Sequence, residues 1–271
     1  MGYTRPINTT KDFLVAAPLP NHGKTYTVIP HKDVIETTKT LLDNNGFRIT
    51  KELYRANMNA KVAQGVYHLA STKDEEMGMM FAWTNSYDKS TRFQCAVGAF
   101  VNVCSNGMLC GDMANYARKH TGKADHDIHT QISSQIKSAN KYYTKLINDK
   151  NEMRKIFLPK KDQAELVGRL FLDEEIIDAS QVSCIKAEMK EPSYDYKADL
   201  NNAWTFYNHI THALKRSHPR TWMSDQVKFH EFMTAELLSQ AALKKQDTSW
   251  PVDFIADMEA QEYDTFEEFK I

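Results

Sequence analysis

The clearest alternation in the chain runs through Thr91-Arg-Phe-Gln-Cys-Ala-Val-Gly-Ala-Phe-Val-Asn-Val-Cys-Ser-Asn-Gly-Met108. Phe93, Cys95, Val97, Ala99, Val101 and Val103 fall on one face of an extended chain, while Ala96, Gly98 and Phe100 leave the other face small enough for a close neighbour. Ser105-Asn-Gly107 ends this strand, because Asn and Gly accept the positive φ of a tight turn. Upstream, Phe47, Ile49 and Leu53 alternate with charged residues, Val62 to Leu69 alternates less cleanly, and Met77, Met79, Phe81 and Trp83 alternate again. The spacers Asn57-Met-Asn59, Ser71-Thr-Lys-Asp74 and Asn85-Ser-Tyr-Asp-Lys-Ser90 carry turn chemistry. Four consecutive strands with short links predict an antiparallel meander.

On either side the apolar spacing becomes helical. From Asp33 to Asp43, Val34, Ile35, Thr38, Leu41 and Leu42 recur at three- and four-residue intervals, Asp33 serves as cap or first-turn acid, and Asn45-Gly46 supplies a left-handed stop. From Asp125 to Asp149, Ile128, Ile132, Ile136, Ala139, Tyr143 and Leu146 keep this spacing opposite Lys137, Lys141 and Lys145, which predicts one long amphipathic helix. Further helical patterns cover 162–172, 200–214 and 227–242, with breaks at Glu191-Pro-Ser-Tyr-Asp195 and Ser217-His-Pro-Arg220. Pro6, Pro18, Pro20 and Pro30 make residues 1–30 an irregular arm. The expectation is an α+β fold: an N-terminal helix, a four-stranded antiparallel meander, then a long amphipathic helix and further helices. A single α+β domain over 31–245, sheet-rich to 105 and helical from 106, would lie between the arm and a tail at 246–271.

Charge changes this picture at the C-terminus. The 271 residues carry a formal charge of −1, yet residues 247–271 hold eight acidic side chains against Lys270 alone, so removing that −7 leaves about +6 on the body. The tail also holds Trp250, Phe254, Tyr263, Phe266, Phe269 and Ile271. Acidic tails with aromatic tips resemble those of single-stranded DNA-binding proteins, where the tail competes with nucleic acid for a basic groove and docks partner proteins. An ordinary packed C-terminal helix is the competing reading, since Phe254, Met258, Glu262 and Tyr263 fit helical spacing.

Cys95, Cys104, Cys110 and Cys184 form no CxxC pair and read as reduced thiols. A cysteine inside an apolar strand is a small packed hydrophobe more often than a nucleophile. No run of about 18 apolar residues spans a bilayer, and Met1-Gly-Tyr-Thr-Arg-Pro6 lacks the apolar core of a signal peptide, so no membrane contact and a cytoplasmic location are expected, in host cytoplasm if phage encoded. GxSxG, Walker A and GxGxxG motifs are all missing, which argues against hydrolase-elbow, ATP and dinucleotide chemistry; no cofactor is expected.

Two clusters carry candidate chemistry. His120, His126 and His129, with Asp125 and Asp127, have spacings that share a helix face and suggest a metal-dependent enzyme. Aspartates at a helix start, however, usually cap it against the dipole, and that reading is preferred, with no metal site assigned. Basic residues interleaved with aromatics fit nucleic acid better: Arg55 and Lys61 on the first hairpin, Arg92 opening the fourth strand, Arg118, Lys119, His120 and Lys123 after its turn, and Lys141 and Lys145 on the long helix. A solvated charged surface is the plain alternative for any one of these clusters.

Val101-Asn-Val-Cys-Ser-Asn106, Arg118-Lys-His-Thr-Gly122 and Asn202-Ala-Trp-Thr-Phe-Tyr-Asn208 together resemble a phage/plasmid-like family of unknown function found in prophages, plasmids and phage genomes. In that family a strand ends in a cysteine and asparagine, an Arg-His-Thr element starts a long helix, and a late helix carries a Tyr-Asn pair. The resemblance covers roughly residues 75–215; Lys119 is inserted between arginine and histidine, and Gly107 stands where Thr commonly follows. It implies a mobile-element origin and no activity. The order helix, antiparallel strands, long helix also resembles phage single-strand annealing proteins, a likeness of topology that does not fix function. The leading expectation is therefore a non-enzymatic, nucleic-acid-binding phage protein, with single-stranded DNA favoured, acting in replication or recombination as a homo-oligomer. The alternative is an interaction protein that inhibits or redirects a host defence factor.

Overall fold

The structure is a computed structural model that describes residues 7–21, 28–71, 73–110 and 124–239. Among these residues six strands follow one another across a single antiparallel sheet: β1 (Ile7–Thr9), β2 (Ile49–Ala56), β3 (Val62–Leu69), β4 (Met77–Ser86), β5 (Gln94–Val101) and β6 (Gly107–Leu109). The four expected strands are its centre. Both additions are three-residue edge strands, too short to show a period: β1 arises in the supposedly irregular arm by pairing Ile7 with Ala56, and β6 returns along β5, pairing Gly107 with Phe100.

That return corrects the reading of the turn. β5 stops at Val101, Val103 is 52% exposed, and the residue with positive φ is Ser105, not Asn106 or Gly107. The Val101 amide N–H donates to the Asn106 carbonyl, so Asn106 lies inside the hairpin and its side chain is fully buried. Turn propensity located the reversal within one residue, and the pairing with β5 decided which residue bent.

Burial explains why β3 to β5 are so apolar: every position of β3 and β4 is buried, because helices cover both faces. Tyr54, Ala56, Ala63, Tyr67, Phe81, Trp83, Cys95, Val97 and Ala99 point into the larger core. Val66, Met80, Ala82, Ala96 and Phe100 point the other way. Two glycines permit close cross-strand contacts: a Cβ on Gly65 would stand 2.4 Å from the Trp83 ring, and one on Gly78 would stand 2.3 Å from Phe100.

Among the described residues eight α-helices accompany the sheet. α1 (Lys11–Val15) is a second element inside the arm, capped by the Thr10 hydroxyl; four prolines interrupt the segment without preventing a single turn. α2 (His31–Asn44) matches its pattern, with Asp33 in the first turn and Gly46 at φ +78° as the stop. The long helix is two: α3 (Ala124–Lys137) and α4 (Ala139–Met153). At Ser138 the amide N–H is shared between the Ser134 and Gln135 carbonyls, so the apolar spacing continues while the backbone ladder changes step. α4 is tied to the β3–β4 loop by Lys150, whose amine is 2.6 Å from Asp74 and 3.6 Å from Glu76, and by Arg154, 2.7 Å from Glu76.

α5 (Lys160–Leu172), α7 (Ala203–Leu214) and α8 (Trp222–Met233) answer the three later patterns. The last of these starts earlier than expected and continues into a π-helical turn, Thr234–Ser239; the rest of that pattern, 240–242, lies outside the described residues. α6 (Ala179–Lys190) was not expected; its weak periodicity hides it, although Asp178 and Gln181 form a complete capping box. α2, α3, α4 and α7 contribute to the larger core, and Trp222, Met223 and Val227 of α8 cover the opposite face. Among the described residues no helix is long and apolar enough to cross a membrane.

A basic cleft and a buried polar seam as the candidate functional site

α7 organises the polar interior because its two sides meet different partners. Asn202 caps it, accepting the Trp204 N–H at 2.9 Å and donating to the Arg154 carbonyl at 2.8 Å. One side presents Tyr207, whose hydroxyl lies 3.2 Å from His230 Nδ1, while His230 Nε2 lies 3.0 Å from Asp149, which also receives Lys145 at 2.6 Å. A carboxylate only accepts, so the proton of a neutral His230 ring sits on Nε2, and Nδ1 accepts from Tyr207; this tautomer follows from the network. Burial would raise the Asp149 pKa, but the bonds from His230 and Lys145 prevail and hold it below the usual carboxylate range. Tyr207, fully enclosed, is pushed well up by burial.

The other side presents Asn208, His209 and His212 to a seam shared with α6. Asn106 Nδ2 donates to both the carbonyl and the side-chain oxygen of Asn208, at 3.0 and 3.1 Å. Thus the two segments 101–106 and 202–208, about a hundred residues apart, clasp each other through buried amides. Next to them Glu188 Oε2 is 4.0 Å from His209 Nδ1, and Oε1 is 3.7 Å from His212 Nε2, distances too long for hydrogen bonds. Ser193 donates to Glu188 through both its amide and its hydroxyl, and these bonds outweigh burial to keep the carboxyl below its usual range. Burial pushes His209 down to about 4 and lowers His212, so both imidazoles are neutral at pH 7. Among the described residues both ring nitrogens of His209, Nδ1 of His212 and Oδ1 of Asn106 have no hydrogen-bond partner. The Tyr196 hydroxyl lies close enough to Asn106 and Cys104 to interact electrostatically, but not in hydrogen-bond geometry.

This seam leads to a cleft of about 1070 Å³. Gln181 marks the junction, donating 2.9 Å to the Ser217 hydroxyl, and Lys215 follows, its amine 2.5 Å from the Cys104 carbonyl and 5.6 Å from the centre of the Tyr194 ring. The cleft gathers Arg55 from β2 with Lys215, Arg216, His218 and Arg220 from the α7–α8 connection. Arg55 alternates away from Tyr54 and Ala56, onto the face opposite the larger core, and donates to the Ser217 carbonyl. Burial lowers its pKa to about 10, leaving it charged at neutral pH. The acids of the cleft are Glu175, Asp178 and Asp225. Asp178 is engaged as the α6 cap. Burial raises Asp225 to about 6, against hydrogen bonds from Ser217 and Thr221.

Of the basic candidates from the sequence that fall among the described residues, Arg55 alone lines this cleft. Lys61 and Arg92 are exposed at strand starts, and Lys141 and Lys145 are exposed on α4, against the face that Arg55 turns away from. They do not join Arg55 in one groove, and Lys145 is already paired with Asp149. Arg118, Lys119, His120 and Lys123 lie outside the described residues, as do the His126 side chain and the acidic tail; His129 is exposed. Among the described residues no group of three His, Cys, Asp or Glu could hold a metal ion. All four cysteines are free and buried, and burial raises their thiol pKa values, to about 11 for Cys110. The basic run Lys215-Arg-Ser-His-Pro-Arg220 is contiguous in the sequence, but its proline marks only a helix break there, and its meeting with Arg55 has no local signal.

No curated protein and no solved structure matches the chain. A family model described as a domain of unknown function, DUF932, matches residues 18–249, a span that takes in the sheet from β2 to β6, the clasp between Asn106 and Asn208, the seam and all of the cleft but Asn8. Because that span is most of the chain, the protein belongs to the DUF932 family.

Proposed function

We propose that the cleft binds the phosphate backbone of nucleic acid, with single-stranded DNA as the favoured ligand, in replication or recombination of a mobile element. The observation that carries this reading is the meeting of Arg55 with the basic run 215–220, some 160 residues later in the chain, in one concave site. Guanidinium forks suit phosphate oxygens, and in this cleft Arg55, Lys215, Arg216 and Arg220 outnumber Glu175, Asp178 and Asp225, with Asp178 already engaged as a helix cap. The volume of about 1070 Å³ suits a short stretch of single strand better than the broad contact surface of a duplex. Among the described residues no Phe, Tyr or Trp lines the cleft, so backbone charge rather than base stacking would dominate.

Fluorescence anisotropy with labelled single- and double-stranded oligonucleotides tests the reading. Binding should weaken steeply as salt rises, and Arg216→Ala should reduce both affinity and the salt slope. Undetectable or salt-independent binding to both strand forms would overturn it.

A further inference from the structure

Lys215 stands where the cleft meets the seam, and among the described residues its amine contacts the Cys104 carbonyl and the Tyr194 ring, both uncharged. Glu188 and His212 lie along the same seam, 3.7 Å apart. A part-buried lysine amine whose close contacts are a carbonyl and an aromatic ring, rather than a paired carboxylate, is placed to attack a carbonyl carbon. We propose that the Lys215 amine condenses with an aldehyde carried on a phosphate-bearing ligand, forming a Schiff base at the cleft wall while Arg55 and Arg216 hold the phosphate. The phosphate half of this inference rests on the reading of the cleft given above. Burial lowers the Lys215 pKa against the pull of the Cys104 thiol and the Glu188 carboxylate, which enlarges the neutral, reactive fraction of the amine.

The chemistry balances without an oxidant or reductant. The nitrogen lone pair adds to the carbonyl carbon, the C=O π pair moves to oxygen, and a proton passes from nitrogen to that oxygen. Loss of water from the carbinolamine then forms the C=N bond. His212, neutral and with Nδ1 unpartnered among the described residues, is the basic group on the seam suited to carry the proton.

Two probes separate the sources of such an aldehyde: pyridoxal 5′-phosphate, a small molecule, and a single-stranded oligonucleotide with an abasic site, whose ring-opened sugar is an aldehyde flanked by phosphates. The full chain is incubated with each, reduced with borohydride and mapped by peptide mass spectrometry. Expected is a reduced adduct on Lys215 ahead of the exposed lysines, lost in Lys215→Arg with the circular dichroism spectrum unchanged. An abasic adduct suppressed by intact strand assigns the DNA sugar; a pyridoxal adduct alone, insensitive to intact strand, assigns a small phosphorylated aldehyde. Lys215 unlabelled by both probes, or label spread evenly over exposed lysines, overturns the proposal, even where anisotropy shows that intact strand binds. Failure of the nucleic-acid reading shows separately, as absence of salt-dependent binding to intact strand while Lys215 still takes the pyridoxal label.

Discussion

The two sides of α7 make opposite use of buried polar groups. On the Tyr207 side every partner is in place: Lys145, Asp149, His230 and Tyr207 form an unbroken chain from the surface to the core. On the Asn208 side the amide clasp is closed, but His209, His212 and Glu188 stand near one another without completing hydrogen bonds. A buried polar group without a partner costs about 1–3 kcal/mol, so a satisfied network is read as structure and an unsatisfied one beside a cleft as a site. The difference teaches where to look: the side that gives up stability is the side that reaches Lys215 and the basic residues.

Removing Asp149 should break the first side most severely. Asp149→Ala leaves His230 Nε2 buried without its acceptor and should cost about 3 kcal/mol, roughly 10 °C in melting temperature for a chain of this size. The wild-type contribution has a defined pH sense. Because the folded pKa of Asp149 lies below its unfolded value, its stabilisation is present above the ordinary carboxylate range and fades as pH falls through it. Thermal melts at pH 7 and pH 3 check both statements.

On the second side the largest effects should appear in binding. Arg216→Ala is expected to weaken oligonucleotide affinity about tenfold, or about 1.4 kcal/mol, with melting temperature nearly unchanged. Asp225→Asn removes a negative charge from the same cleft and should strengthen binding at pH 7.5 about fivefold, about 1 kcal/mol. Wild type should approach that affinity as pH falls through about 6 and the Asp225 carboxyl protonates; His218, whose imidazole burial holds low, contributes in the same direction, and the variant separates the two. In stability the sign is that of a raised pKa: the buried carboxyl favours folding while protonated, and this is lost as pH rises through about 6. The smallest effect sharpens the comparison. His209→Phe removes two unpartnered buried nitrogens and no completed hydrogen bond, so stability should stay level or rise slightly, by about 0.5 kcal/mol, whereas a loss as large as that of Asp149→Ala would show that His209 has a partner after all.

How much of this was legible follows from the range of each interaction. α2, with Asp33 in its first turn and Gly46 as its stop, and the four central strands were readable because their apolar periods and turn residues lie within a few positions of one another. The division of α3 from α4 at Ser138 was not, since the apolar spacing runs on across it. α6 was missed because its apolar face is weak, and Asp178 with Gln181 was its remaining local mark.

By itself, then, the sequence determined the antiparallel order of the central sheet, the burial of its cysteines and the two faces of β5, all consequences of local alternation between apolar and polar positions. Only the tertiary structure decided that Asn106 would turn inward to Asn208, and that Arg55 would meet the basic run 215–220 rather than Lys141 and Lys145. A strand's period assigns Arg55 to a face, but what waits on that face is set by the return of the chain some 160 residues later, and no local pattern carries that information.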